Sequence, residues 1–410
     1  MSVKKKQQPN KQEVALRFIR ENYLDFDRLR HDMISDLVQI NMAAPGDPPA
    51  WRNITTADIN DMVCTCAEEM NASVTDREIR AVLNSHAVPD VHPLREFVLG
   101  CPEYTPDQPD YIGALAAQVT VEGDEEAQNY WRICFTKWFL GMVASWLKDD
   151  AVNHQVLTLI GKQGIYKTTW LEHLLPPQLR AYGCKMASCM SLNKDERLRI
   201  AEYGLIALDE IDAMSPRELN IIKSVITASD TAERAAYKYN KERRIRLASF
   251  CASGNKEEFL TDVTGNRRWL PFKVLSIQPP QFTPILYEAV YAEALYMINM
   301  GYPYWFDQSD IQELEQHNEN FRAQENEEQL IPVYFAIPSE NNGKFLTTAE
   351  ISEKLVSWGY IKKPMPLNRL GMVLRKAGFP EKRTSSKRGF IVRELSGEEI
   401  NANRNIEARM

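Results

Sequence analysis

The stretch Leu159-Ile-Gly-Lys-Gln-Gly-Ile-Tyr-Lys-Thr-Thr-Trp-Leu-Glu-His-Leu-Leu175 opens like a phosphate-binding loop and then departs from the pattern. In G-x-x-x-x-G-K-[ST] a glycine stands directly before the lysine. Gly161 and Lys167-Thr168 keep the outer spacing, but Tyr166 occupies the place of that glycine. Upstream, VLTLIG (156–161) is a continuous apolar run of the kind found in a buried central strand. Downstream, TTWLEHLL reads as a helix. A loop between two such elements lies where backbone amides can collect phosphate. Gly161, Lys162, Gln163, Gly164, Ile165, Tyr166, Lys167, Thr168 and Thr169 are therefore the candidate nucleotide loop. Lys167 can reach the β/γ-phosphates and Thr168 can hold Mg²⁺ through its hydroxyl. Tyr166 must adopt the backbone angles of the missing glycine, at about 1–2 kcal/mol if these are left-handed and no cost if they are helical.

A second element follows about 40 positions after the lysine. Tyr203-Gly-Leu-Ile-Ala-Leu-Asp-Glu-Ile-Asp212 is an apolar strand that ends in acids. In an open α/β sheet, ligands bind at the carboxyl ends of the strands, which sets these acids beside the phosphates. Asp209 suits the Mg²⁺ shell, and Glu210 suits deprotonation of an attacking water. A third element, LASFCASGN, ends in Asn255, a polar amide at a strand tip that can contact a γ-phosphate or a lytic water, or simply terminate a turn. Thr264-Gly-Asn-Arg-Arg-Trp-Leu-Pro-Phe then puts Arg267 and Arg268 before another apolar run. Either arginine can act from one subunit on the nucleotide of its neighbour, or cap the strand in solvent.

The alternation of β-rich runs and helices from about 152 to 275 predicts a parallel sheet covered on both faces. Residues 13–43 carry apolar residues at helical spacing, Thr55/Thr56 and Thr75 open two further capped helices, and prolines punctuate 89–109. From 127 to 147 the chain predicts a long buried helix, and 286–300 and 309–328 are further helical stretches. The expected organisation is a disordered arm (1–12), a helical N-terminal domain (13–126), the nucleotide-binding core with a helical extension (127–330), a small basic unit (345–395) and a tail (396–410).

The chain of 410 residues has a net charge of −7, so any nucleic-acid binding must come from local clusters. One cluster is Arg234-Ala-Ala-Tyr-Lys-Tyr-Asn-Lys-Glu-Arg-Arg-Ile-Arg246, which predicts a basic hairpin. Arg234, Lys238, Lys241, Arg243 and Arg244 can neutralise phosphates while Tyr237 and Tyr239 stack on bases, a combination suited to single strands. A contact with an acidic surface of a neighbouring subunit is the alternative. The 345–395 unit has the order helix, turn, helix, hairpin expected of a winged helix, with Arg369, Arg375, Lys376, Lys387 and Arg388 as candidate DNA contacts. A protein-docking role is the alternative there.

The arm MSVKKKQQPNKQ lacks the apolar segment of a secretory signal. No apolar run approaches the roughly 20 residues of a membrane helix. Seven cysteines show neither C-x-x-C pairs nor zinc spacing, which predicts reduced, structural thiols in the cytoplasm.

The segments GKQGIYKTTWLEHL, IALDEID, ELNIIKSVITASDTAERAAYKYNKERRIR and ASGNKEEFLTDVTGNRRWLPF together resemble the virulence-associated protein E family. That family is similar to superfamily 3 helicases and poxvirus-type primase-helicases, with an AAA+-like P-loop core. The resemblance covers roughly 130–330. It implies an ATP-driven DNA motor of a phage, plasmid or integrated mobile element, acting in replication as a ring, expected to be a hexamer, on single-stranded and forked DNA. ATP and Mg²⁺ are the implied cofactors, and a separate primase or polymerase is a further candidate partner. Lys167 and Thr168 would bind phosphate and metal, Asp209 and Glu210 would form the acidic motif, Asn255 the sensor, and Arg267 or Arg268 the finger. No primase-type catalytic acids stand upstream. A DNA-binding switch or loader without unwinding, and an AAA+ transcription regulator, remain the alternatives.

Overall fold

The computed structural model describes residues 10–186, 199–228, 230–231, 244–260, 266–322, 326–339, 342–359, 364–384, 387–400 and 403. Its centre is a six-stranded sheet built from β5 (Val119–Val121), β6 (Val156–Ile160), β7 (Gly183–Met186), β8 (Leu205–Leu208), β11 (Ser249–Gly254) and β12 (Trp269–Ile277), in the order β5-β12-β6-β11-β8-β7. All pairs are parallel except β5 with β12, and β9 (Asp230–Thr231) and β10 (Arg244–Ile245) form a separate antiparallel pair. Every residue of β6, β8 and β11 is buried, because helices cover both faces and no strand face meets water. Alternation along β6 divides the core. Leu157 and Leu159 point toward the 23-residue helix Glu125–Leu147, and Val156 and Ile160 toward helix Pro216–Thr227.

Helix Glu125–Leu147 is apolar nearly all round, and its three tryptophans find hydrogen-bond acceptors for their indole N–H groups inside the core. Trp131 donates to the Ala116 carbonyl at 2.9 Å, Trp138 to Phe250 at 3.1 Å and Trp146 to Gly204 at 3.2 Å. These bonds allow large aromatic rings to be buried without orphaned donors.

The N-terminal region differs from the helical domain expected over 13–126. Helix Lys11–Asn22 stops early. The chain then enters β1 (Leu29–Asp32) and β2 (Leu37–Asn41), which pair antiparallel and continue to β3 (Trp51–Asn53) and β4 (Asp90–Val91) in the order β3-β2-β1-β4. The helix breaks at Tyr23 (φ −133°, ψ −48°), and left-handed backbone at Asp27 (φ 50°) and Asp36 (φ 57°), where short polar side chains tolerate a turn, leads the chain into β1 and from β1 to β2. The two capped helices occur where expected, Thr56–Met70 with a Thr55/Asp58 box and Asp76–Leu83 with a Thr75/Glu78 box. This unit has its own core around Phe18, Ile19, Val38, Ile40, Met62 and Ile79. Its boundary also lies earlier than expected. Leu94, Val98, Ile112 and Leu115 already pack into the central core against Trp131 and Trp146.

Contacts that join this unit to the central core include Ile34, which packs into it, and two polar pairs. The Tyr182 hydroxyl donates to Oδ2 of the buried Asp32 at 2.9 Å, and Arg244 pairs with Asp36 at 2.9 Å.

At the other end, β13 (Phe335–Ala336), β14 (Lys344–Thr347) and β15 (Glu381–Arg383) all pair with β16 (Arg388–Glu394). Helices Thr348–Gly359 and Leu367–Lys376 lie between β14 and β15, and Gly378 (φ +83°) turns the chain out of the second. The core of this unit includes Ile331, Val333 and Phe335, so it begins upstream of the expected 345. The predicted helix 309–328 is Gln308–Asn318, a short 3₁₀ turn Glu319–Phe321, and a separate helix Asn326–Tyr334. Among the described residues no helix is long and apolar enough to cross a membrane.

Candidate functional site

Strand β6 ends at Ile160, and the chain turns through 161–166 into helix Lys167–Glu172. Gly161 donates its backbone N–H to the Gly254 carbonyl at 3.1 Å, which ties the start of the loop to the end of β11. A Cβ at Gly161 would lie 2.5 Å from the Val274 carbonyl oxygen, so only glycine fits between the strands there. Tyr166, exposed, takes the left-handed conformation of the glycine it replaces, with φ 69° and ψ 16°. Its carbonyl accepts the first helical bond, from Trp170 at 2.8 Å. Trp170 anchors the turn: it is fully buried, packs on Phe135 with ring centroids 5.5 Å apart, and donates to Gln118 Oε1 at 3.0 Å. The helix is shorter than TTWLEHLL suggested.

The buried Lys167 ammonium folds over the loop. It donates to the carbonyls of Gly161 and Lys162, both at 2.7 Å, and to Asn255 Oδ1 at 3.2 Å. Burial lowers its pKa from the ordinary lysine value, while Asp212 and Asp209 oppose that shift. A charge held by neutral carbonyls in a concave loop is a ready partner for an anion.

Asp209 follows β8 directly. Its Oδ1 accepts from Ser253 Oγ at 2.6 Å and from Thr168 Oγ1 at 3.0 Å, and its Oδ2 pairs with Lys185 Nζ at 2.9 Å. Burial alone would raise the Asp209 pKa, but the donors Ser253, Lys185 and Thr168 outweigh it and hold the carboxyl below its ordinary value. Asp212 Oδ1 accepts the Asn255 backbone N–H at 2.9 Å, fixing the tip of β11. Glu210 is exposed, with left-handed backbone (φ 52°, ψ 46°). Non-glycine residues strained in this way concentrate at functional sites.

Three segments far apart in the chain thus converge: the loop through Lys167 and Thr168, β8 through Asp209, and β11 through Asn255. A hydroxyl beside a carboxylate is the hard-oxygen donor set that suits Mg²⁺. Among the described residues no group of three His, Cys, Asp or Glu side chains could hold a metal.

Two residues of the cluster were not anticipated. Ser253 lies two positions before Asn255, and strand periodicity was a usable signal that the two share a face. Lys185 lies on β7, a strand that no apolar run announced.

Other predicted residues lie elsewhere. Arg267 and Arg268 form a 3₁₀ turn just before β12. β12 runs parallel to β6 from Trp269↔Val156 to Lys273↔Ile160, which sets the arginines about 16 Å along the strands from the loop end. Arg267 is exposed, whereas Arg268 donates to Thr227 Oγ1 at 3.0 Å. Arg234, Tyr237, Lys238, Tyr239, Lys241 and Arg243 lie outside the described residues. Arg244 is engaged, pairing with Asp36 at 2.9 Å and Glu202 at 3.6 Å. In the C-terminal unit Arg375 and Arg388 share Glu381 (3.3 and 2.5 Å), and Lys376 reaches Glu319 at 2.5 Å. Lys387 is exposed and Arg369 half-buried.

The profile of the virulence-associated protein E-like domain matches residues 108–323, more than half of the chain. Solved structures similar to the chain include the apo C-terminal region of NrS-1, at 10% identity and a TM-score of 0.44, covering 95% of this chain and 100% of that one. An A-form apo structure of the same region gives 10% identity and a TM-score of 0.43, with the same coverage. No curated protein matches the chain.

Proposed function

The chain belongs to the virulence-associated protein E-like family, and on that premise we propose that it is an ATP-dependent DNA helicase or translocase of a mobile element, acting in replication as a ring, most simply a hexamer. The observation that carries this reading is the convergence of Lys167, Thr168, Asp209 and Asn255 within hydrogen-bond reach. The strand order supports it. The loop strand β6 is separated from the acid-bearing β8 by β11, whose tip carries the polar amide. That order supports reading the sheet as an AAA+-like P-loop core.

In this reading the loop amides and Lys167 bind the phosphates, and Thr168 and Asp209 would hold Mg²⁺, which would supply charge neutralisation for phosphoryl transfer. Glu210 takes the proton of the attacking water, and Asn255 orients that water or the terminal phosphate. Ser253 donates to the same Asp209 oxygen as Thr168 and holds that oxygen beside the threonine hydroxyl. The distance of Arg267 and Arg268 from the loop of their own subunit argues that the finger serves a neighbour's nucleotide, which a ring supplies. The basic residues Arg234, Lys238, Lys241 and Arg243, with Tyr237 and Tyr239, grip single-stranded DNA. The C-terminal unit, in the element order of a winged helix, selects where the ring loads.

The test is strand displacement from a forked duplex, with ATP, beside single-strand and duplex binding. Neutralising Lys238 and Lys241 should abolish displacement, spare basal hydrolysis and lower the salt slope of single-strand binding by about 1–2 units. Deleting 345–410 should spare a preformed fork and weaken duplex binding. Hydrolysis stimulated by DNA with no displacement in the intact protein would replace the motor with a loader or switch.

A further inference from the structure

Lys185 has no part in the site as sequence alone predicts it, yet it makes a direct ion pair with the acid that would hold the metal. It is the third residue of the edge strand β7 and lies beside Ala207 of β8. Its ammonium is 2.9 Å from Asp209 Oδ2 and 4.0 Å from Glu172 Oε1. The opposite oxygen of Asp209 is occupied by the two hydroxyls of Ser253 and Thr168. Lys185 is thus the cation that compensates Asp209. The Lys185 side chain is half exposed and flexible, so it can change partner without repacking the core. Glu172, the last residue of the helix that Lys167 begins, stands next to it as that second partner.

We propose that Lys185 is a positioning residue that takes the place of the divalent cation at Asp209 while the site is free of nucleotide, and transfers to Glu172 when metal and nucleotide arrive. The proposal rests on reading this site as one for ATP and Mg²⁺. It makes the coupling between metal and nucleotide a property of three side chains. Without Lys185, Asp209 repels a metal-free polyphosphate. Without the Glu172 charge, Lys185 stays on Asp209 and competes with the ion.

The experiment is a fluorescence titration of the full chain with an N-methylanthraniloyl ATP analogue, in EDTA and in Mg²⁺. Lys185→Met should weaken metal-free binding about five- to tenfold, the size of one partly screened charge pair, and leave binding in saturating Mg²⁺ within about twofold. Lys185→Arg should restore metal-free binding. Glu172→Gln should act in the opposite sense, raising the Mg²⁺ concentration for half-maximal binding a few-fold. Equal losses with and without metal would make Lys185 an ordinary phosphate or folding contact and overturn the proposal, as would no change in either condition. If the unsubstituted chain binds no better than Lys167→Ala in both conditions, the nucleotide reading has failed and this inference falls with it. A wild type that binds while Lys185→Met shows no loss confined to metal-free conditions sinks the inference alone.

Discussion

The Thr168 hydroxyl donates to Asp209 Oδ1 at 3.0 Å across 41 residues of sequence. This single bond joins the end of the phosphate loop to the end of the acid strand. It orders the roles proposed for the residues around it, Lys167 for the anion and Asp209 with Thr168 for the metal, with Glu210 one residue further out.

Those roles give separable phenotypes. Lys167→Ala should abolish nucleotide binding, because its ammonium is the buried charge of the loop. Glu210→Gln should keep binding and lower turnover by about 10²-fold or more, since it removes a proton acceptor and leaves the phosphate cradle. Nucleotide binding and steady-state ATP hydrolysis on both variants check this. Normal hydrolysis by Glu210→Gln would transfer the role of base to Asp212.

Tyr166 stores backbone strain. A left-handed non-glycine costs about 1–2 kcal/mol, so Tyr166→Gly should be neutral to stabilising by about 1 kcal/mol, after the extra unfolded-state entropy of glycine is subtracted. Tyr166→Val should be destabilising, because a β-branched residue tolerates positive φ worst. Urea unfolding reads the difference, and turnover of Tyr166→Gly should be retained or faster. Complete loss of turnover would show that the ring itself belongs to the site.

The finger should work between subunits. Lys167→Ala protein mixed with Arg267→Ala/Arg268→Ala protein should recover some hydrolysis, because a mixed ring contains interfaces with an intact loop on one side and intact arginines on the other. Absence of recovery under conditions where mixed assemblies demonstrably form would refute action across the interface.

Arg246 is the sixth basic residue of the 234–246 stretch, and it is not a surface charge. It is buried, donating to the carbonyls of Ala248 at 2.9 Å, Asn153 at 2.7 Å and Ile226. It staples the end of helix Pro216–Thr227 to the start of β11, on either side of the basic stretch. Arg246→Met should cost about 3 kcal/mol or more by leaving several buried carbonyls without a donor. A loss below about 1 kcal/mol in urea unfolding would mean that water replaces the guanidinium.

Residues close in sequence carried their own message. The spacing of Gly161 and Lys167, the acids after LIAL, and the threonine capping boxes are local, because a loop, a strand end and a helix cap are each made by neighbouring residues. The buried strands β6, β8, β11 and β12 were legible for the same reason, as unbroken apolar runs. Tertiary structure decided what depends on partners from elsewhere. Residues 13–43 have helical spacing, but left-handed aspartates at 27 and 36 and pairing with β3 and β4 make the second half of the stretch a β-hairpin. The short strand β7 exists only because β8 offers it an edge, and with it comes Lys185. Arg244 and Arg246 look alike in sequence, yet one pairs with the N-terminal unit and the other is sealed among carbonyls. Charge and composition are properties of a residue, whereas burial and partnership are properties of the fold around it.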